Sequence, residues 1–293
     1  MTAFAHLLLP YQQQIEKDIQ KSLTTFGPPS LLKEAIAYAL QNGGKRLRPA
    51  LVHIVAKAID SSQSVTHAAL AVEFFHTASL IADDLPCMDD EKMRRDQLSL
   101  HRAFDEAVAL LASYALISSG YDFIRLNALE CKNGKETLLI ALENASYNTG
   151  IFGATGGQFH DLYPDSLDEK GLLMALEKKT ASLFEISFVF GWAFGGGDLK
   201  ALDEVKEIAL HFGRAFQISD DLLDLSEDRE KGSLNYALAI GGDAALHQLF
   251  SELDALEKKL KKLRLDVPEL CTFAAFIRER GYTVTSSFSS ISD

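Results

Sequence analysis

Apolar residues recur every three or four positions along almost the whole chain, and this periodicity constrains the fold more than any other feature. Clear examples are LLKEAIAYAL, FDEAVALLASYALISSGYDFI and VKEIALHFGRAFQISDDLLDL. This spacing places apolar side chains along one face of an α-helix. Alternating strand patterns are missing, and the interruptions are short Gly or Pro pairs, which are typical of helix ends. The pattern predicts an all-α fold of roughly ten helices.

The interruptions do not resemble flexible linkers, so residues 1–282 are predicted to form a single-domain helical bundle. The Ser-rich end, residues 283–293, is predicted to be a mobile tail. Segments 68–85 and 181–194 are apolar on more than one face. Helices of that kind belong in the middle of a bundle, so we expect these two segments to be buried.

Charge and targeting signals exclude several classes of protein. The chain has 41 acidic and 29 basic residues and a net charge of -12, whereas a nucleic-acid binder needs a basic surface. The N-terminus lacks the basic region of a signal peptide, and no uninterrupted apolar stretch reaches the roughly 18 to 20 residues that span a bilayer. Three scattered cysteines fit a reducing compartment, so we expect a cytoplasmic protein without a transmembrane segment.

Asp83, Asp84 and Asp89 form a first acidic cluster at the end of the apolar segment AALAVEFFHTASLIA. Buried carboxylates are costly unless a cation neutralises them, and Mg²⁺ prefers oxygen ligands. On a straight helix Asp89 would point about 240° away from Asp83. Pro86 disturbs the helix between them and is expected to bring Asp89 back beside Asp83. Taken alone, the cluster is also typical of a solvated helix end.

Asp220, Asp221 and Asp224 form a second acidic cluster after the apolar stretch AFQIS. The i, i+4 spacing puts Asp220 and Asp224 on one helix face, with Asp221 close by. Three carboxylates in one turn repel one another unless a counter-ion is bound. Alone, this pattern is more often a solvated helix face than a metal site.

The segment GGKRLRP combines features of an anion site. Two glycines leave room for a ligand near the backbone, and Pro49 suits the first turn of a following helix. Lys45 and Arg48 would then project near a helix N-terminus, which attracts anions. An ordinary basic turn is the alternative.

Arg94 and Arg95 follow the first acidic cluster, and paired guanidiniums can bind phosphate oxygens in a bidentate way. They could instead only neutralise neighbouring carboxylates. His76 lies seven residues before Asp83, on the same helix face. Further polar candidates, each weak alone, are Lys179, Thr180 and Gln217. Two acidic clusters, separate basic groups and apolar helices together favour a substrate with a diphosphate head and a hydrocarbon tail.

At these residues the sequence resembles the trans-type isoprenyl diphosphate synthases, which include farnesyl and geranylgeranyl diphosphate synthases. The motifs are GGKRLRP, FFHTASLIADDLPCMDDEKMRR and FQISDDLLD, and the resemblance covers about residues 31–280. It implies an all-α bundle of the isoprenoid synthase type around a central apolar cavity, and a homodimer. It also implies Mg²⁺ as cofactor, with several ions per site, and isopentenyl diphosphate and dimethylallyl, geranyl or farnesyl diphosphate as substrates.

The resemblance also assigns roles to residues. Those expected to hold isopentenyl diphosphate are Lys45, Arg48, His76 and Arg95. Those expected to bind Mg²⁺ are Asp83, Asp84, Asp89, Asp220, Asp221 and Asp224. Those expected to contact the allylic diphosphate are Arg94, Lys179 and Thr180, with Gln217 beside it, and Lys231 is expected to bind substrate. Gln158 and Asp161, in GGQFHDL, match a further family motif. Catalysis would depend on Asp83, Asp84, Asp89, Lys179, Asp220 and Asp221.

Ala78 stands five positions before Asp83, where related C15 synthases commonly place an aromatic residue, and Ser79 follows it. Small side chains leave room for a longer tail, so the resemblance implies a C20 product, geranylgeranyl diphosphate, with the C15 product as the alternative. Phe74 and Phe75 could close the floor of the pocket instead, or could be core residues.

Several positions depart from the family pattern. Asp96 stands where the family usually has glycine, Ser113-Tyr114 replaces a Gly-Asp pair, and the segment after Asp224 is short, with Lys231 as its one aligned lysine. A weakly active or non-catalytic regulatory subunit is therefore a second hypothesis. A terpene cyclase or head-to-head condensing enzyme is a third, although neither needs the GGKRLRP anion site.

Overall fold

The computed structural model describes residues 2–131, 133–164, 168–231 and 234–289, without the side chains of Lys231 and of residues 284–289. The chain divides into two compact units. The N-terminal unit comprises Leu8–Ala145 and Val189–Leu199, and the C-terminal unit comprises Met1–Leu7, Ser146–Phe188 and Lys200–Asp293. That residues 1–282 form a single domain stays a prediction.

Helices account for nearly all of the N-terminal unit. Those that lie mainly in it are α1 (Ala3–Ser22), α2 (Leu31–Gln41), α3 (Leu47–Ile59), α4 (Thr66–Asp83), α5 (Leu100–Ala103), α6 (Glu106–Leu129) and α7 (Gly134–Thr149). The side chain of Ser30 caps α2 and that of Asp105 caps α6, each accepting a backbone N–H three residues ahead. Helix α4 packs against α3 and α6 and is buried along most of its length, as its apolar sequence predicts.

A small antiparallel hairpin joins α4 to α5. Its strands are β1 (Met93–Arg94) and β2 (Gln97–Leu98). The two connecting residues, Arg95 and Asp96, have φ of 55° and 64°. Left-handed values at both central positions are the geometry of the tight turns that right-handed strand twist favours. The sequence analysis missed this hairpin because strands of two residues are too short to show alternation.

Asp96 is expected to be a suboptimal residue for this turn. Its positive φ is costly for a residue with a Cβ, although aspartate tolerates it better than alanine. Asp96→Gly should raise the free energy of unfolding by about 0.5 kcal/mol, after the entropy that glycine adds to the unfolded chain. Asp96→Ala should lower it. Urea unfolding of the three proteins tests this order, and a glycine variant less stable than alanine would contradict it.

The C-terminal unit is also helical. Its elements are α8 (Ala154–Leu162), α9 (Glu169–Leu176), a π-helical turn (Glu177–Ala181), α10 (Ser182–Phe194, which ends in the N-terminal unit), α11 (Leu202–Leu223), α12 (Leu225–Lys231), α13 (Tyr236–Ile240), α14 (Gly242–Lys262) and α15 (Pro268–Ser289). Phenylalanines form its core: the rings of Phe212 and Phe273 stack with centroids 3.9 Å apart, and Phe184 and Phe188 pack against Phe212. Buried aromatic pairs of this kind dominate packing energy.

One prediction about the elements needs correction. The described residues contain fifteen α-helices instead of about ten, because helices as short as α5 and α13 show no periodicity. Helix α15 continues to Ser289, and that residues 283–293 form a mobile tail stays a prediction. Residues 290–293 lie outside the described part of the chain.

Helix α6 differs from the expectation that no segment could cross a bilayer. By length and composition, Glu106–Leu129 is apolar enough to do so, and 39% of its apolar window is buried. Core helices of proteins outside membranes meet the same two criteria, so this finding is weak evidence for a span. Its exposed apolar residues are Leu110, Leu111, Tyr114, Ile117 and Leu129.

Candidate functional site

The first acidic cluster lies where α4 ends, in the N-terminal unit. The chain folds back directly after Asp83, and the backbone N–H of Asp89 donates to the carbonyl of Asp83 at 2.9 Å. The carbonyl of Leu85 accepts from Met88 at 2.9 Å, which closes the turn around Pro86. The prediction that Pro86 brings Asp89 back beside Asp83 is therefore confirmed for the backbone.

Asp84 and Arg94 bind each other in this cluster. Asp84 is only 3% exposed, and its carboxylate accepts from Nε of Arg94 at 3.0 and 3.2 Å and from Nη2 at shorter range. These hydrogen bonds raise the pKa of Arg94. The ion pair supplies the opposite charge that a buried carboxylate requires. The residues predicted to bind metal and diphosphate thus neutralise each other in this structure.

The GGKRLRP segment meets the hairpin arginines. Gly44 has a φ of 118°, and a Cβ there would lie 2.4 Å from Cζ of Arg95. Nη1 of Arg95 donates to the carbonyl of Gly43. The sequence predicts that the two glycines leave space for a ligand. At Gly44 the guanidinium of Arg95 fills this space.

His76 lies within this group of guanidiniums. Its Nε2 is 3.4 Å from Nη1 of Arg48. Burial, followed by the charges of Arg48 and Arg95, holds the pKa of His76 well below its usual value. The imidazole is therefore neutral near pH 7 and can accept a hydrogen bond. Its buried Nδ1 has no hydrogen-bond partner among the described residues. A cluster of guanidiniums is suited to binding the oxygens of a phosphate group.

Arg46 has a structural role that the sequence analysis did not assign. It is 3% exposed, with a φ of 47°. Its guanidinium donates to Glu16 at 2.7 Å, to the buried carboxylate of Glu73 at 2.5 Å and to the carbonyl of Leu40 at 2.5 Å. Arg46 therefore ties α1, α2 and α4 to the segment that carries Lys45 and, in the first turn of α3, Arg48. From the sequence alone, the basic residues of GGKRLRP indicated only a site for an anion, and this is why the structural role of Arg46 was missed.

Asp221 is the buried member of the second acidic cluster, which lies in the C-terminal unit. Its Oδ1 accepts from Nε2 of Gln217 and its Oδ2 from the backbone N–H of Tyr236, both at 2.8 Å. Burial raises the pKa of Asp221 to about 6 in spite of these bonds, and the nearby charges of Asp228 and Asp220 add to the effect. The side chain is thus held in a place where its negative charge is incompletely neutralised.

The other two members lie at the more accessible end of α11. Asp220 is 3.1 Å from Nη2 of Arg280. Burial, and after it the charges of Asp220 and Asp228, raise the pKa of Asp224. Asp228 was not among the predicted residues, although it continues the i, i+4 spacing from Asp224. The repulsion among these carboxylates favours a bound cation.

Asn235 and Tyr236 were also missed. The backbone N–H of Tyr236 donates to Asp221 Oδ2. Nδ2 of Asn235 donates to the carbonyl of Asp221 and to Asp228 Oδ2, and all three distances are 2.8 Å. In the sequence, the letters NYA were the only available signal of these contacts. The side chain of Lys231, predicted to bind substrate, lies outside the described residues.

Lys179 and Thr180 lie in the π-helical turn. Nζ of Lys179 forms a short ion pair with Asp161 of the GGQFHDL motif. Thr180 Oγ1 donates to Gln217 Oε1 at 2.9 Å. Hydrogen bonds therefore link three of the predicted residues within the C-terminal unit, Thr180, Gln217 and Asp221, and Lys179 is adjacent to Thr180 in the turn. Gln158 is buried in α8.

The acidic residues fit Mg²⁺ in a particular way. Among the described residues, no three or more His, Cys, Asp or Glu side chains converge as a ready metal site. Magnesium commonly uses one or two protein carboxylates and takes its other ligands from water and substrate phosphates. The raised pKa values of Asp221 and Asp224 show negative charge that a dication would neutralise. The donor set thus fits ions that arrive with a phosphorylated substrate.

The residues predicted to set chain length lie on α4. Ala78 is buried, Ser79 is half-buried, and Ser113 Oγ donates to the carbonyl of Ala78 at 3.0 Å. The ring of Phe75 fills the space beside Gly120, where a Cβ would lie 2.5 Å from it. Phe74 instead packs against other aromatic rings in the core, those of Phe26 and Phe123.

Comparison with known proteins agrees with these motifs. The polyprenyl synthetase family model matches residues 29–235. Geranylgeranyl pyrophosphate synthase 4 of Arabidopsis thaliana is 32% identical over 252 residues, which are 79% of this chain and 67% of that protein. Farnesyl diphosphate synthase of Bacillus subtilis is 32% identical over 254 residues, 85% of each chain.

Solved structures with the same fold include two bacterial enzymes. A geranyltransferase from Legionella pneumophila has a TM-score of 0.83 and 26% identity, covering 94% of this chain and 97% of its own. An FPP/GFPP synthase from Zymomonas mobilis has a TM-score of 0.80 and 28% identity, covering 96% and 99%. The all-α fold predicted from the sequence is confirmed.

Proposed function

This chain belongs to the polyprenyl synthetase family, the trans-isoprenyl diphosphate synthases, and from that premise we propose that it joins isopentenyl diphosphate head to tail to an allylic diphosphate. Membership makes the chain a trans-prenyltransferase. The observation that carries the proposal is the cluster of Arg48, Arg94 and Arg95 around the neutral side chain of His76. Such a group suits a diphosphate, and it stands in the same unit as the first acidic cluster.

The proposed roles follow the chemistry of each side chain. Lys45, Arg48, His76 and Arg95 hold isopentenyl diphosphate. The carboxylates of the two acidic clusters hold Mg²⁺, which neutralises the leaving diphosphate when bound. Lys179, Thr180 and Gln217 orient the allylic diphosphate, and Arg94 is a diphosphate ligand of the N-terminal unit. Apolar helices exclude water from the allylic cation, and the isopentenyl double bond attacks it in a fixed orientation.

We propose the C20 product, geranylgeranyl diphosphate, with the C15 product as the second candidate. The side chains of Ala78 and Ser79, one turn before Asp83, are small and would obstruct a long tail less than an aromatic ring would. Phe75 lies one further turn away, and Gly120 accommodates its ring against α6. Phe75 could therefore support the floor of a deeper pocket instead of closing a shallow one.

Ala78→Phe is expected to shorten the product by at least one five-carbon unit, because the ring would occupy the space that the growing tail needs. Products are dephosphorylated and sized by chromatography. Since Ala78 is buried and the larger ring could disturb folding, half-buried Ser79→Phe serves as a second variant. Ala82→Ser, on the same helix, is the control. Unchanged product length in both aromatic variants would show that this part of α4 does not form the floor of the pocket for the growing tail.

We further propose a cytoplasmic homodimer. The exposed apolar side chains of Leu110, Leu111, Tyr114 and Ile117 are spaced along one side of α6. An apolar face of this kind, on a helix that is only partly buried, is suited to a subunit interface.

The test of the function is incubation with Mg²⁺, isopentenyl diphosphate and dimethylallyl, geranyl or farnesyl diphosphate. Elongated products from at least one primer are expected. Absence of product from every primer would favour the alternative of a weakly active or non-catalytic regulatory subunit. Products formed without isopentenyl diphosphate would indicate a cyclase.

A further inference from the structure

The π-helical turn between α9 and α10 carries Lys179 and Thr180. A π turn holds one more residue than an α turn, is rare, and persists only where its surroundings hold it. Part of that support is local, since Oγ of Ser182 donates to the carbonyl of Lys178 at 2.6 Å. The rest comes from neighbouring helices.

Two glycines allow neighbouring helices to approach the turn closely. A Cβ on Gly157 of α8 would lie 2.3 Å from the backbone nitrogen of Lys179. A Cβ on Gly213 of α11 would lie 2.6 Å from Cα of Ala181. The backbone of the turn is thus packed between α8 and α11.

Arg214, the residue after Gly213, binds the start of the turn. Its Nε donates to Glu177 Oε1 at 2.9 Å, and its Nη1 donates to Glu252 Oε1 on α14 at 3.1 Å. The Arg214 side chain is 20% exposed and that of Glu252 is 4% exposed. Glu252 is fixed in turn by His211 Nδ1 at 2.5 Å and by Gln248 Nε2 at 2.7 Å. Glu252 of α14 therefore fixes the Arg214 side chain in the position from which it binds Glu177.

The same face of α11 also holds the far end of the turn. Arg214, Gln217 and Asp221 are spaced i, i+3, i+7, which places them on one helix face. Gln217 accepts from Thr180 at 2.9 Å and donates to Asp221 at 2.8 Å. Arg214 and Gln217 thus fix the first and fourth residues of the turn to one rigid helix, next to the second acidic cluster.

We propose that Arg214 is a positioning residue for the allylic diphosphate, acting through Glu177 to hold Lys179 and Thr180 in the conformation that binds it. This inference rests on the proposed function. Arg214 does not itself touch the substrate. Loss of its link to Glu177 should let the π turn relax, and preorganised contacts to the diphosphate should weaken as a result.

The test compares Arg214→Met, Glu177→Gln and the double variant with the intact protein. Met preserves the aliphatic length of arginine and removes its donors. Arg278→Met is the matched control, because Arg278 also joins two carboxylates, Asp254 at 2.7 Å and Glu257 at 3.1 Å, and is 24% exposed. It does not contact the π turn. Steady-state kinetics, thermal unfolding and calorimetric binding of an unreactive allylic thiodiphosphate with Mg²⁺ are measured for each.

We expect Arg214→Met to lower kcat/KM for the allylic substrate about tenfold and to weaken thiodiphosphate binding by a similar factor, with KM for isopentenyl diphosphate within about twofold. The double variant should be no worse than Arg214→Met alone. In Arg278→Met, kcat/KM for the allylic substrate, the affinity for the thiodiphosphate and KM for isopentenyl diphosphate should all be unchanged. Loss of thermal stability alone, or equal changes in both KM values, would overturn the positioning role.

The two proposals fail separately. If the intact protein elongates primers and Arg214→Met does so with unchanged constants, the positioning role is wrong and the proposed function stands. If the intact protein makes no product, the proposed function fails. Thiodiphosphate binding then decides the role of Arg214: weakening in Arg214→Met but not in Arg278→Met supports it, and equal affinity in the two variants contradicts it.

Discussion

Asp83→Ala should reduce the rate of condensation at least about a thousandfold, because the reaction requires charge neutralisation of a departing diphosphate. Asp83 ends α4, and its carbonyl already accepts the Asp89 N–H that closes the acidic turn. The backbone of the turn should therefore survive the substitution while one metal-binding carboxylate is lost. Turnover is measured with saturating primer, isopentenyl diphosphate and Mg²⁺.

Asp83→Glu and Asp122→Ala sharpen this test. Glutamate keeps the carboxylate at a greater reach, so partial activity and a higher Mg²⁺ requirement are expected. Asp122 is exposed on α6 and pairs with Arg125, so its loss should leave turnover unchanged. Near-normal turnover of Asp83→Ala, with normal thermal stability, would refute the metal role of Asp83.

Arg46→Met should lower the free energy of unfolding by about 3–5 kcal/mol, the usual consequence of leaving one member of a buried ion pair without its partner. Glu73 is 1% exposed and faces Nη1 of Arg46 at 2.5 Å. Removing the guanidinium leaves a buried carboxylate and an unsatisfied carbonyl at Leu40. Urea unfolding at constant pH measures the change.

The double variant Arg46→Met, Glu73→Gln separates the causes. With the buried charge also removed, the loss of stability should be smaller than the sum of the two single losses. Arg125→Met, which breaks an exposed pair, should leave the free energy of unfolding nearly unchanged. A loss of less than about 1 kcal/mol for Arg46→Met would show that the buried pair contributes little beyond its packing.

Much of the candidate site could be predicted because the relevant signals are local. The periodicity that defines α4 and α11 repeats every three to four residues, and Pro86 acts on the turn that contains it. The spacing of Asp220, Asp221 and Asp224 follows from one helical turn. Helix-forming segments and acidic clusters are therefore visible from short windows of the sequence.

Tertiary structure alone decided which partners the long-range charged pairs bring together. Arg46 meets Glu73 across 27 positions, and Arg280 meets Asp220 across 60. The sequence determined the helical class and the chemistry available to the site. Whether an arginine is a ligand for substrate, as proposed for Arg48, or a buried support, like Arg46, depends on which helices pack beside it. Burial and charge neutralisation are properties of that packing, and no local pattern encodes them.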